Sequence, residues 1–143
     1  MKRYRFNLEG VLRARRAQEG VARTAFALAT SAARAAEAVA RESLAHYEAV
    51  TSAPGEDLLA KQELGTLAAR SLVEARASSE QAKGAAEDAL SEYLVARQAV
   101  AMLERLDSGR RAEHALAVQR EEALLADEMT ANRTRRKRMA GRK

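Results

Sequence analysis

Between residues 72 and 103 small or apolar side chains return at alternating intervals of three and four: Leu72, Ala75, Ser79, Ala82, Ala86, Ala89, Tyr93, Ala96, Val100 and Leu103. That spacing draws one narrow stripe along an α-helix, aims it at a partner helix and imposes left-handed supercoiling. An earlier segment carries two such stripes. One runs through Val21, Ala25, Leu28, Ala32, Ala35 and Val39, the other through Ala22, Phe26, Ala29, Ala33, Ala36 and Ala40. Spacing alone leaves the register open, and two stripes allow two faces, one for a helix of the same chain and one for something else. Alanine makes up 34 of the 143 residues, whereas aromatics number five and tryptophan is absent. Alanine buries too little surface to fill a wide core. It does let helices approach near the short end of the usual separation of about 8–10 Å. Strong helix formers dominate and β-branched residues are few. The chain is expected to be all-α, a long antiparallel two-helix coiled-coil hairpin.

One break interrupts the pattern. Thr51-Ser52-Ala53-Pro54-Gly55-Glu56-Asp57 holds the only proline, which disfavours helix in the residue before it, then a flexible glycine and acids suited to opening a helix. The expected organisation is a single hairpin over residues 1–143: helix one about 8–50, a turn about 51–56, helix two about 57–132 and a basic tail 133–143. Gly65, Gly84 and Gly109 are candidate breaks in helix two, since each costs roughly 1 kcal/mol against alanine. Helices joined by a tight loop run antiparallel. The C-terminal arm is the longer, and about thirty residues should extend past the N-terminus when the turn is at Pro54. A fold-back of residues 57–85 would instead set Tyr47 opposite Tyr93. The simple hairpin is the favoured arrangement.

No cysteine is present, so nothing points to a disulfide scaffold or an oxidising compartment. The longest uncharged run, Thr24 to Ala33, is too short to span a bilayer, and Arg13, Arg15 and Arg16 fall where a secretory signal would need apolar residues. A cytoplasmic protein without a transmembrane segment is expected. Charge is segregated: residues 1–16 carry six basic side chains against Glu9, and residues 133–143 carry seven against none. The intervening residues hold twelve basic and nineteen acidic side chains. A basic pole of this kind steers toward something acidic.

Catalysis finds no support. His46 and His114 are the only histidines and neither has a cysteine, paired carboxylate or metal-spaced neighbour. Glu121, Glu122, Asp127 and Glu128 read as a solvated helix face. The glycines are scattered singly, so no phosphate-cradling loop forms. Neither an enzyme, a metal nor a cofactor is implied. The run Arg133, Arg135, Arg136, Lys137, Arg138 is open to three readings: a frayed solubilising tail, a contact for an acidic protein surface, or a site for nucleic acid or anionic lipid. The lack of nearby aromatics reads against single-stranded nucleic acid.

The most specific feature is the opening segment Tyr4-Arg5-Phe6-Asn7-Leu8-Glu9-Gly10-Val11-Leu12-Arg13. Tyr4, Phe6 and Leu8 alternate, and Leu8, Val11 and Leu12 then take helical spacing, which physically makes a hydrophobic staple at a helix start. The aromatic-x-Phe-x-Leu-Glu-x-Val-Leu-x-x-Arg pattern that this segment opens and Arg15 closes, with the length and the long helical hairpin, resembles the FliJ family of flagellar type III export proteins, related to YscO-like injectisome stalks. Glu122 and Asp127-Glu128, followed by the basic tail, resemble that family's acidic-then-basic ending. Gly10 stands where relatives often have proline, which loosens the first turn. The rest of the chain is generic coiled coil.

The resemblance implies a fold similar to the coiled-coil part of a rotary-ATPase γ subunit, and binding to the hexameric flagellar export ATPase, FliI. The implied ATPase-binding residues are Tyr4, Phe6, Leu8, Leu12, Asp127, Glu128, Arg133, Arg135 and Arg136. It also implies contact with the export gate, FlhA, through a helix-one face, for which Ala40, Leu44 and Tyr47 have the spacing. Escort of export chaperones is a further family role, and the implied location is the cytoplasmic face of the inner membrane. An injectisome stalk would share this fold and partner class. A coiled-coil adaptor for nucleic acid or anionic membrane, working through the basic tail, is the alternative from another class.

Overall fold

The computed structural model describes residues 4–55 and 57–140. Parts of the basic segments, Lys2, Arg3, Arg142 and Lys143, and Glu56 of the turn, lie outside the described residues. The chain is an all-α antiparallel hairpin of α1 (Glu9–Ser52) and α2 (Leu58–Ala140), and the C-terminal arm is the longer, 83 residues against 44.

The two ends of the turn are held by short-range hydrogen bonds. At the close of α1 the Ala53 amide donates to the Ala49 carbonyl at 3.1 Å, and the Thr51 hydroxyl donates to the Tyr47 carbonyl at 2.9 Å. Pro54 then prevents the helix from continuing, because it has no amide to donate and crowds the preceding residue. Asp57 caps α2: its carboxylate accepts from the Leu59 and Ala60 amides at 3.0 and 3.2 Å, and its carbonyl accepts from Lys61 at 3.2 Å.

Helix α2 runs unbroken through Gly65, Gly84 and Gly109. The cost of each glycine, roughly 1 kcal/mol, is spread over a helix whose alanine-rich neighbours favour the same state. The helix also continues to Ala140 instead of ending near 132, so the described part of the basic tail is helical. Its run of arginine and lysine suits a C-terminal turn, with Lys137 and Arg138 there to meet the negative end of the helix dipole.

The chain divides into two compact units: residues Ala14–Ala99, and a second formed by Met1–Arg13 with Val100–Lys143. Within the first, the α2 stripe of Leu72, Ala75, Ser79, Ala82, Ala86, Ala89, Tyr93 and Ala96 is buried or half-buried at every position, as its spacing predicts. The seam extends toward the turn through Ala68, 3% exposed. On α1 the structure selects one stripe. Ala22, Phe26, Ala29, Ala33, Ala36 and Ala40 are half-buried, whereas Val21, Ala25, Leu28, Ala32, Ala35 and Val39 are exposed.

The reason lies in the continuation of each stripe. Beyond Ala40 the inner one runs on to Leu44, Tyr47 and Val50, all half-buried, while the outer one meets Glu42 and His46. Phe26 lies parallel to Tyr93 with ring centroids 6.1 Å apart. That pairing excludes the fold-back in which Tyr47 would face Tyr93. Arg97 donates to the Tyr93 hydroxyl at 3.0 Å. This bond, then the Tyr93 charge and the Glu19 carboxylate, hold the guanidinium above its ordinary pKa.

Candidate interaction surface

The second unit contains the residues that the opening motif singles out. Tyr4, Phe6 and Leu8 precede α1 or enter its first turn, where the Glu9 amide donates to the Phe6 carbonyl at 3.2 Å and Leu12 donates to Leu8 at 2.8 Å. These bonds fix the entry of the chain so that the apolar side chains project to one side. Phe6, Leu12 and Val100 form a core cluster at 9%, 7% and 5% exposure, with Tyr4, Leu8 and Leu103 packed around it. The staple of the sequence is therefore closed against α2, with Val100 and Leu103 from the heptad stripe as its floor.

A polar clasp borders the cluster. The Tyr4 hydroxyl donates to an Asp107 carboxylate oxygen at 2.8 Å, and Arg111 bridges the same carboxylate at 2.9 Å. The Arg111 guanidinium sits over the Tyr4 ring at 5.6 Å from its centroid, and the His114 ring lies tilted at 5.6 Å on the same residue. Burial, then the hydrogen bond to Asp107 and that residue's negative charge, push the Tyr4 phenol above its ordinary pKa of 10.0, against Arg111 and Arg110. Arg111 is likewise raised, first by its hydrogen bond to Asp107.

Past His114, α2 changes character. From residue 115 to 139 every described side chain is exposed except the half-buried Val118, including Leu116, Leu124, Leu125 and Met129. Asp127, Glu128, Arg133, Arg135 and Arg136 sit on this stretch and are all exposed. The structure thus separates the residues that the family resemblance groups together. Tyr4, Phe6, Leu8 and Leu12 face inward, while the acidic and basic members lie on α2 beginning about 20 Å beyond His114 at the helical rise of 1.5 Å per residue.

Ala40, Leu44 and Tyr47 belong to the first unit and lie half-buried on the inner stripe of α1. Ala40 and Leu44 line a shallow groove with Arg76, Ser79 and Lys83 of α2. Only part of each is presented outward. Spacing could not reveal this, because it required knowing which of two equally regular stripes α2 would cover. The Asp107, Arg111 and His114 clasp was also missed. Its signal was present in the interval of four between Asp107 and Arg111, which makes a helical ion pair.

Among the described residues no group of three histidine, cysteine or acidic side chains is placed to hold a metal, and no helix is long and apolar enough to cross a membrane. Comparison with known protein families, curated proteins and solved structures gives no match. The exposed stretch of α2 carries an acidic run, Glu121, Glu122, Asp127 and Glu128, then a basic one, Arg133 to Arg138, beside the apolar Leu116, Leu124, Leu125 and Met129.

Proposed function

We propose that this chain is a stalk-like component of a flagellar type III export apparatus, acting by binding the hexameric export ATPase, FliI, and the export gate, FlhA, at the cytoplasmic face of the inner membrane. The observation that carries this reading is the exposed end of α2, where Leu116, Leu124, Leu125 and Met129 have nothing packed over them among the described residues. A single helix in water is marginal on its own, so a partner that covers this stretch stabilises it as it binds. The opening motif at residues 4–15 and the acidic-then-basic ending supply the resemblance that names the partner class.

In this reading the ATPase contacts fall to Leu124, Leu125 and Met129 together with Asp127, Glu128, Arg133, Arg135 and Arg136. Tyr4, Phe6, Leu8 and Leu12 act by holding the hairpin's terminal packing. A gate contact at Ala40, Leu44 and Tyr47 would use the outer edge of the inner stripe. The rod would contact ring subunits unequally and so bias their assembly or conformation. Carriage of export chaperones belongs to the same proposal.

The test is hexamerisation and ATP hydrolysis of the cognate export ATPase with and without the purified chain. Stimulation that is lost in a Leu125→Glu, Met129→Glu variant supports the proposal, and unchanged assembly and hydrolysis reject it. Retained binding to nucleic acid or anionic vesicles in that variant, with loss on removing residues 133–143, would favour the adaptor reading instead.

A further inference from the structure

The stripe of α1 that α2 leaves uncovered has the form of a second coiled-coil seam. Val21, Leu28 and Val39 are 73%, 67% and 54% exposed, and Ala25, Ala32 and Ala35 between them are exposed as well. At about 100° per residue this stripe lies one position, hence about 100°, around the helix from the seam that meets α2. A helix with two apolar stripes at that offset has the pattern of one lodged in a bundle, touching two neighbours. The charged residues of the segment agree. From Ala17 to Arg41 the only charges are Glu19, Arg23, Arg34, Glu37 and Arg41, and all fall about 140–160° from the outer stripe. The Thr24 hydroxyl beside it is turned back to the Gly20 carbonyl at 3.0 Å.

We propose that the outer stripe is a homodimer interface in which α1 of a second copy lies antiparallel against it. The residues are self-complementary in that arrangement. With the two-fold axis at the level of Thr30, Val21 meets Val39 of the second copy, Ala25 meets Ala35, and Leu28 fills the space over Ala32. The intervals of four and three read the same in both directions, so each layer pairs as in an antiparallel coiled coil.

Charge is complementary at the ends. The same register sets Gln18, which accepts from Arg15 at 3.1 Å, opposite Glu42 of the second copy, so that at both ends Arg15 of one copy stands within a helical turn of Glu42 of the other. The continuous contact from Ala14 to His46 is roughly 48 Å long. Helices this alanine-rich then bury on the order of 1,000 Å² in total, the lower bound for a specific interface. The α2 helix offers no equal surface, because the positions on one side of its seam include Arg76, Glu80, Lys83 and Glu87, and those on the other Glu74, Asp88 and Glu92. This interface uses none of the residues assigned to the ATPase and does not depend on that assignment.

Sedimentation velocity of the full chain over a concentration series tests it. The expected result is a monomer–dimer equilibrium with a midpoint on the order of 100 µM, the weak association of an interface at the small end of the range. Leu28→Glu should weaken it at least about tenfold, while Val95→Glu, at another exposed site, should leave it intact. Circular dichroism checks that both variants keep their helicity.

Orientation is read by cross-linking, since the chain has no cysteine of its own. A short bismaleimide should join chains carrying both Val21→Cys and Val39→Cys, which lie roughly 27 Å apart within one helix, but not chains carrying Val21→Cys alone. A wild-type chain that stays monomeric to about 1 mM, a Leu28→Glu variant that dimerises normally, or efficient cross-linking through Val21→Cys alone would each overturn the proposal.

Discussion

The Tyr4 hydroxyl donates to the Asp107 carboxylate at 2.8 Å, joining residues 103 apart in sequence. Around that bond the N-terminal segment is seated on α2, with Arg111 on the far side of the same carboxylate. Asp107 is the hub of the clasp, its side chain only 14% exposed. Asp107→Asn should keep its volume while removing the charge that both partners use. The expected outcome is faster amide hydrogen exchange at Glu9 and Leu12, with no change near Phe26. Tyr4→Phe should move the same amides by less, and equal effects would contradict a hub at Asp107.

The Tyr4 phenol is held above its ordinary value of 10.0, so its protonated form is the one that the fold favours. A raised acid contributes stability fully below its unfolded pKa, and that contribution is lost as pH rises through the folded one. The Tyr4 contribution to the clasp should therefore be present at neutral pH and lost in alkali above 10. Titration of a labelled Tyr4 ring carbon by NMR should show ionisation above the unfolded value, and a midpoint at or below it would contradict the geometry.

Leu12 is 7% exposed against Phe6 and Val100, and its neighbour Val11 is 46% exposed. Leu12→Ala should cost about 2–4 kcal/mol, the usual range for emptying a core site. Val11→Ala should cost under about 1 kcal/mol. Urea denaturation followed by circular dichroism separates the two.

Ala68 and Ser79 are 3% and 4% exposed in the seam of the first unit. Side chains this well covered have neighbours that a longer side chain would have to displace. Ala68→Leu and Ser79→Leu should each destabilise by about 1–3 kcal/mol through overpacking, although both raise hydrophobicity and Ser79→Leu also raises helix propensity. Leu67→Ala, at a site 61% exposed, should be close to neutral. Thermal melts that rise for the two leucine variants would show a looser seam than the one described.

Asp57 accepts from the Leu59 and Ala60 amides at the start of α2. Asp57→Ala should cost roughly 1 kcal/mol, as loss of a helix cap generally does, and Asp57→Asn should recover most of it. The two melting temperatures measured beside the wild type decide this.

The α2 stripe from Leu72 to Leu103 was readable because only one run of positions there keeps the heptad interval without a charge. Pro54, Gly55 and Asp57 marked the turn for an equally local reason, since each acts on its own backbone. The outcome at Gly65, Gly84 and Gly109 was not local in that sense. Whether a glycine breaks a helix depends on the neighbours that share its cost, and here the helix continues. The sequence by itself determined two helices, the place where they turn and the heptad seam on α2. Over residues 21–40 the two stripes of α1 are equally regular and differ by one position, and the structure shows that α2 covers the one that sets Phe26 against Tyr93 and runs on to Leu44, Tyr47 and Val50. Only the tertiary structure decided that Tyr4, Phe6 and Leu12 face inward, since their burial comes from Val100, Leu103 and Asp107, residues that no local rule connects to the N-terminus.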